Sequence, residues 1–98
     1  MKTVDEESEL SCLVGKGKLR EEVWQDSITG DVVRYNLAFI NHAMYRGDNG
    51  RVLGYDMAHG YHHRHFMGTV EDIDFPGYRK LSQRFFKEVA MLRSRGRV

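Results

Sequence analysis

Four of the five histidines lie within seven residues of the chain, at positions 59, 62, 63 and 65. Tyr55 and Asp56 come just before this stretch, and Arg64 lies within it. An imidazole changes its charge near neutral pH and is a common metal ligand. Placing four imidazoles beside an arginine costs solvation and repulsion, so the stretch favours a site of acid–base or metal chemistry over a purely structural segment.

Metal-independent cleavage of RNA is one reaction that these residue types suit. It needs a base for the 2′-hydroxyl proton, an acid for the leaving oxygen and a cation for the phosphate charge that develops in the transition state. Two histidines supply the base and the acid, Arg64 or Arg51 supplies the cation, and Tyr55 or Tyr61 orients or stacks on the substrate. The candidate catalytic residues are His63, His65, Arg64, Tyr55 and Asp56.

A metal site is the first alternative. Two histidines at i and i+2 on a strand can bind one ion, and a third ligand from Asp56, His59 or His42 would leave an open position for a hydrolytic water. The cofactor would then be a divalent metal such as zinc, whereas the ribonuclease needs none. The candidate ligands are His59, His63, His65 and Asp56.

Two turn signals divide the middle of the chain into strands. Residues 19 to 26 and 32 to 41 flank the turn at Gly30 and form a predicted hairpin, and the Asn49-Gly50 step leads into a returning strand over residues 51 to 57. A fourth strand is predicted over residues 62 to 70 and an acidic loop over residues 71 to 74, and a short edge strand is predicted over residues 9 to 14. Because side chains alternate along a strand, His62 and Arg64 should lie on one face, with the two remaining histidines of that strand on the other.

The C-terminal part of the chain has a helical pattern. Apolar residues recur at spacings of three and four from Tyr78 to Leu92, and Asp74 and Pro76 suit a helix start. The predicted fold is therefore α+β, an antiparallel meander of about four strands with an amphipathic helix packed on one face. Residues 1 to 98 should form one domain, with residues 1 to 8 flexible and residues 95 to 98 a basic tail.

Charge is distributed unevenly, although the net charge is only +1. Residues 1 to 31 carry eight acidic and four basic side chains, whereas residues 76 to 98 carry seven basic side chains against Glu88 alone. Such a gradient favours an anionic partner for the C-terminal end. The candidate nucleic-acid contacts are basic residues of the helix together with one from the returning strand: Lys80, Arg84, Lys87, Arg93 and Arg51.

The chain has no apolar run long enough to cross a bilayer, and its N-terminus is acidic where a signal peptide would be basic and then apolar. These features predict a cytoplasmic protein that does not bind membranes. Cys12 is the only cysteine, which excludes an intramolecular disulfide and a cysteine-based zinc site.

Residues 32 to 68 resemble the TumE family of small bacterial toxin–antitoxin proteins. The resemblance rests on a Tyr-Asp pair followed by a glycine and then His-Arg-His, here Tyr55, Asp56, Gly60, His63, Arg64 and His65. Met57 departs from the pattern, since family members often have asparagine there. The resemblance implies a toxin with a nucleic-acid or translation target, neutralised by a helix-turn-helix antitoxin.

The sequence thus leads to a toxin of a bacterial toxin–antitoxin module that acts as a metal-independent endoribonuclease. The alternative from a different class is a non-catalytic regulatory or interaction domain, in which the histidines only make cross-strand hydrogen bonds and the basic helix binds an acidic partner. An exposed edge strand or an apolar sheet face would instead indicate a homodimer.

Overall fold

The computed structural model describes residues 1–58 and 60–95. Six strands and a C-terminal helix follow one another along the chain, with one short 3-10 turn at Asp48–Gly50. The elements are β1 (Lys2–Ser11), β2 (Lys16–Gln25), β3 (Val32–Ile40), β4 (Arg51–Ala58), β5 (Tyr61–Phe66), β6 (Thr69–Asp72) and α1 (Tyr78–Arg93).

The six strands form one antiparallel sheet in which each strand pairs with its neighbours in sequence. This arrangement confirms the predicted α+β class and the meander with a C-terminal helix. The expected number of about four strands is wrong, because the sheet has two further strands among the described residues.

One further strand comes from a turn that the sequence conceals. A single strand was expected over residues 62 to 70, but the chain reverses at Met67 and Gly68, whose φ angles are 46° and 84°. Glycine accepts such an angle readily, whereas methionine rarely does, so only half of the turn carries a recognisable signal. Glu71 and Asp72, expected in a loop, therefore belong to β6.

The other difference lies at the N-terminus. A short edge strand was expected over residues 9 to 14, but β1 begins at Lys2 and ends at Ser11. The first eight residues, expected to be flexible, thus form most of a strand paired with β2. Cross-strand ion pairs join Glu7 of β1 to Lys18 and Arg20 of β2, at 3.6 and 4.0 Å. Pairing with β2 therefore overrides the poor strand propensity of this acidic segment.

The core lies between the helix and one face of the sheet. The period of two along β3 predicts that Val33, Tyr35, Leu37 and Phe39 face the core. Val33, near the start of the strand, is exposed, whereas Tyr35, Leu37 and Phe39 are buried. They pack with apolar residues of β4 and with the buried stripe of α1, which consists of Leu81, Phe85, Val89 and Leu92. The opposite face of the sheet has no helix packed on it among the described residues, and it is called the open face below.

The helix begins slightly later than the sequence predicts. Asp74 and Pro76 were expected to start it, but Gly77 is the N-cap and the first helical residue is Tyr78. Gly77 has a φ of 97°, which a residue with a side chain rarely adopts, so this glycine sets the angle at which the chain enters the helix. No helix in residues 1–58 and 60–95 is long and apolar enough to cross a membrane.

Candidate functional site

The histidine-rich strand β5 presents two different sets of side chains to the two sides of the sheet. His62 and Arg64 lie on the helix-covered face, and His63 and His65 lie on the open face, as strand alternation predicts. Asp56 of β4 lies directly opposite His63 in the register and shares the open face. The predicted catalytic residues are therefore divided between two sides of the sheet.

Asp56 is the centre of the group on the open face. Its carboxylate oxygens lie 3.0 Å from Nε2 of His65, 3.8 Å from Nδ1 of His63 and 3.4 Å from Nη1 of Arg51. These four side chains are 15% to 25% exposed, so solvent screens them only partly and yet a ligand can reach them. We name them the Asp56 cluster: Asp56, Arg51, His63 and His65.

Arg51 reaches the cluster because of two local features of the backbone. A register irregularity between Phe39 and Ile40 aligns Arg51 with Ile40, on the open face. Its side chain then extends over Gly54, where an added methyl group would lie 2.7 Å from Cδ of Arg51. Asp48 holds the guanidinium from the other side, 2.7 Å from Nη2 and 2.8 Å from Nε.

The contact between Arg51 and His65 determines the tautomer of that histidine. Nη2 of Arg51 lies 3.1 Å from Nδ1 of His65. A guanidinium can only donate hydrogen bonds, so Nδ1 is the acceptor and the proton of a neutral His65 is on Nε2. Nε2 lies close to Asp56, yet it is buried and makes no hydrogen bond of good geometry within the described residues.

His63 has a carboxylate near each of its ring nitrogens. Besides Asp56 beside Nδ1, Asp72 lies 3.2 Å from Nε2. Sequence reasoning missed Asp72 because it assigned the residue to a loop, whereas the β5–β6 register places it opposite His63. The ring centroids of His63 and His65 are 6.3 Å apart, so the two imidazoles form a pair beside one arginine.

Arg64 and Tyr55 belong to a separate network beneath the helix. Nε of Arg64 donates to Oη of Tyr55 at 3.1 Å, both side chains bond to Glu88, and Glu71 lies 3.3 Å from Nη1 of Arg64. Burial, followed by the contact with Glu88, raises the pKa of Tyr55 to about 12. Burial by itself would lower the pKa of Arg64, but the bond to Glu88 and its charge raise it. This network joins the sheet to the helix.

His62 also has a structural environment. Its ring stacks on Phe75 with centroids 4.2 Å apart, and its Nδ1 lies 2.8 Å from Oη of Tyr35. Burial lowers the pKa of His62, and the charge of His63 lowers it further. His62 therefore acts as a packed aromatic side chain between β3 and the segment that precedes the helix.

The pKa of His62 predicts a loss of stability on acidification. Because its folded-state pKa is below the ordinary value of 6.5, the unfolded chain takes up more protons as the pH falls through that value. The contribution of neutral His62 to the free energy of unfolding is therefore present above about pH 6.5 and is lost as the pH falls below that value. Denaturant unfolding above and below this pH should show a larger drop in the free energy of unfolding for wild type than for His62→Phe. The same pH dependence in both proteins would contradict the assignment.

The basic residues of the helix do not join the Asp56 cluster. Lys80, Arg84 and Lys87 are exposed on α1, on the other side of the sheet from Arg51. Arg84 lies 3.6 Å from Glu88, and Nε of Arg93 donates to the carbonyl oxygen of Ser11 at 2.9 Å. Arg51 therefore shares no surface with the predicted nucleic-acid contacts on the helix.

The alternative metal site comprises His59, His63, His65 and Asp56. His59 lies outside the described residues. Within the part of the chain that is described, no group of three or more histidine, cysteine, aspartate or glutamate side chains is arranged to hold a metal ion.

Comparisons of the chain with protein-family models, with curated proteins and with solved structures found no significant match.

Proposed function

We propose that this protein is an endoribonuclease that cleaves RNA without a metal ion, and that it is the toxin of a bacterial toxin–antitoxin module. The observation that carries the proposal is the Asp56 cluster. It provides two imidazoles with centroids 6.3 Å apart, a guanidinium in contact with one of them, and a carboxylate between them. A base, an acid and a phosphate-binding cation are the groups that this reaction requires.

Arg51 is the group that binds the scissile phosphate. Asp48 and Asp56 fix its guanidinium in the free protein, and a planar guanidinium binds a phosphate through two parallel hydrogen bonds. When Arg51 turns to the phosphate it withdraws its donor from Nδ1 of His65. The lone pair of that nitrogen then becomes available at the place where the substrate binds.

His65 is the base in this proposal. Nδ1 takes the proton of the 2′-hydroxyl while O2′ attacks phosphorus, and the bond from phosphorus to O5′ breaks. The attacking and leaving oxygens lie roughly in line on opposite sides of phosphorus, so a second group must supply the other proton. The products are a 2′,3′-cyclic phosphate and a free 5′-hydroxyl.

His63 is the acid that donates a proton to the leaving O5′. Asp56 and Asp72 place a carboxylate near each of its nitrogens and so orient the ring. Asp56 is a positioning residue, since it contacts both histidines and Arg51 and has no required contact with the substrate. Arg64 and Tyr55 act beneath the helix and hold the sheet in place.

Assignment to a toxin–antitoxin module is supported by the match of Tyr55, Asp56, Gly60, His63, Arg64 and His65 to the TumE pattern. On this proposal the protein acts in the cytoplasm on cellular RNA, and a helix-turn-helix antitoxin neutralises it. Covering the open face would be sufficient for neutralisation, because the three groups that carry the reaction lie there.

A non-catalytic interaction domain is the second candidate function. It is favoured by the charge balance of the open face, where Asp48 and Asp56 already pair with Arg51, and Glu22 pairs with Lys2 and Arg20. The bond to Lys2, followed by those to Arg20 and Asn36, holds the pKa of Glu22 at about 2. An interaction domain would tolerate loss of the histidines, which separates the two candidates.

Inducible expression in a bacterial host tests the proposal. Wild type should arrest growth and degrade total RNA, and the His63→Ala/His65→Ala double variant, at matched expression, should do neither. Gln83→Ala, an exposed position on the helix, is the control for an ordinary substitution. Equal arrest by wild type and the double variant, or arrest by neither, would favour the interaction domain.

Gly54→Ala tests the position of Arg51 without removing a charge. The new methyl group would lie 2.7 Å from Cδ of Arg51, a flexible side chain that can move, and 3.3 Å from the carbonyl oxygen of Leu37. We expect a loss of stability within about 1 kcal/mol and a fall in RNA cleavage of about tenfold or more, since the new methyl group displaces Arg51 from the position in which it binds the scissile phosphate. Unchanged cleavage by the folded variant would show that this placement of Arg51 is not needed.

A further inference from the structure

A cavity of about 580 Å³ lies where the β1–β2 hairpin meets the end of β3, and none of the groups assigned to the reaction lines it. It is lined by residues of β1, the β1–β2 turn, the start of β2 and the end of β3, with His42 just after β3; Lys16, Lys18 and Ile40 are among them. The side chains that line it are mostly basic or apolar, and Glu9 is the one acidic residue among them.

The strand register connects this cavity to Arg51. Glu9 pairs with Lys18, Lys18 with Ile40 and Ile40 with Arg51, so these residues form one row across four strands. Adjacent strands are about 4.8 Å apart, which places Lys18 about 10 Å from Arg51 at the backbone. Residues of one row project from the same side of a sheet, so Lys18 and Arg51 share the open face.

The charges of the cavity are available to a ligand. Nζ of Lys18 lies 3.6 Å from Glu7, but these side chains are 49% and 51% exposed, and such a surface pair is weak. Lys16 and His42 are exposed at the same end of the sheet. Ile40, between Lys18 and Arg51 in the row, provides an apolar surface on which a base can lie.

We propose that this cavity is a second subsite, which binds the single-stranded RNA segment that flanks the phosphate held by Arg51. Lys16 and Lys18 contact its phosphates, and Ile40 contacts a base. The occupant is inferred from the continuity of the row with Arg51 and from the basic lining, and the inference rests on the proposed ribonuclease. It places the RNA across the sheet from β4 toward β1, and not along the basic helix.

Binding of a non-cleavable oligonucleotide, single-stranded RNA of ten nucleotides with 2′-O-methyl groups throughout, tests this subsite independently of catalysis. Lys16→Glu/Lys18→Glu should weaken binding by about tenfold and reduce the salt dependence of log K by about 1.4, since each lost phosphate contact contributes about 0.7. Lys80→Glu/Lys87→Glu changes the net charge equally on the helix and should have a much smaller effect.

Binding by Glu9→Gln and RNA cleavage by wild type complete the test. Glu9→Gln removes the one carboxylate of the lining and should tighten binding, whereas weaker binding would contradict the subsite. Equal weakening by the strand and helix double variants would mean non-specific attraction and would overturn the proposal, as would no effect of the strand variant. If wild type binds the oligonucleotide through Lys16 and Lys18 but cleaves no RNA, the ribonuclease is refuted and the subsite is retained.

Discussion

His63→Ala and His65→Ala are each expected to lower the rate of RNA cleavage by about 10²- to 10⁴-fold, the range that general acid–base groups contribute. Each substitution removes one of the two proton transfers that the reaction requires. Because the histidines act on the same step, the double variant should be little worse than either single variant. Both side chains lie on the open face, outside the hydrophobic core, so the fold should survive their loss.

The measurement is single-turnover cleavage of a defined RNA, with the amount of folded protein determined by circular dichroism. The pH dependence adds a readout that a structural role would not change. Wild type should show a bell-shaped profile from one basic and one acidic group, and each single variant should lose one limb. A single variant with wild-type rate and profile would remove that histidine from the mechanism.

Arg64→Ala is expected to lower the free energy of unfolding by about 3 kcal/mol, because it leaves the Glu88 carboxylate partly buried without its main partner. Arg64 and Glu88 are 19% and 23% exposed, which is less than for an ordinary surface pair. The same substitution removes the hydrogen bond that Arg64 donates to Tyr55. Cleavage per folded molecule should change little, since Arg64 is on the opposite face from the reacting groups.

Denaturant unfolding of wild type, Arg64→Ala and Arg79→Ala measures this effect. Arg79 is an exposed arginine of α1, and Arg79→Ala should lower the free energy of unfolding by less than about 0.5 kcal/mol. The Arg64→Ala/Glu88→Ala double variant should lose less unfolding free energy than the two single variants lose together, because it leaves no unpaired charge behind. A cost of Arg64→Ala similar to that of Arg79→Ala would mean that the network contributes no more than a surface ion pair.

Much of the fold follows from local sequence patterns. The period of two in β3 identifies Tyr35, Leu37 and Phe39 as core residues, and the spacing of three and four identifies the stripe of α1. Alternation also divides β5 correctly into two faces. Two strands were not predicted correctly, because β1 depends on pairing of an acidic segment with β2, and because the β5–β6 turn has methionine in the left-handed region.

The candidate site could be predicted only in part, since its residues come together through features that lack a local signal. His63, His65 and Asp56 are recognisable from their spacing. The position of Arg51 depends on an irregularity in the β3–β4 register and on the space above Gly54. The position of Asp72 beside His63 depends on the β5–β6 hairpin, whose turn was not recognised. The role of Arg64 depends on Glu88, which is 24 residues away in sequence.

Incubation of purified protein with a defined single-stranded RNA, in the presence of a metal chelator, tests the central claim most directly. Wild type should cleave the RNA to products that end in a 2′,3′-cyclic phosphate, and it should leave the same sequence with 2′-deoxy sugars intact. His63→Ala/His65→Ala should cleave neither, while Gln83→Ala should match wild type. Equal cleavage by wild type and the double variant, cleavage of the 2′-deoxy substrate, or activity that the chelator abolishes would contradict a metal-independent ribonuclease built on the Asp56 cluster.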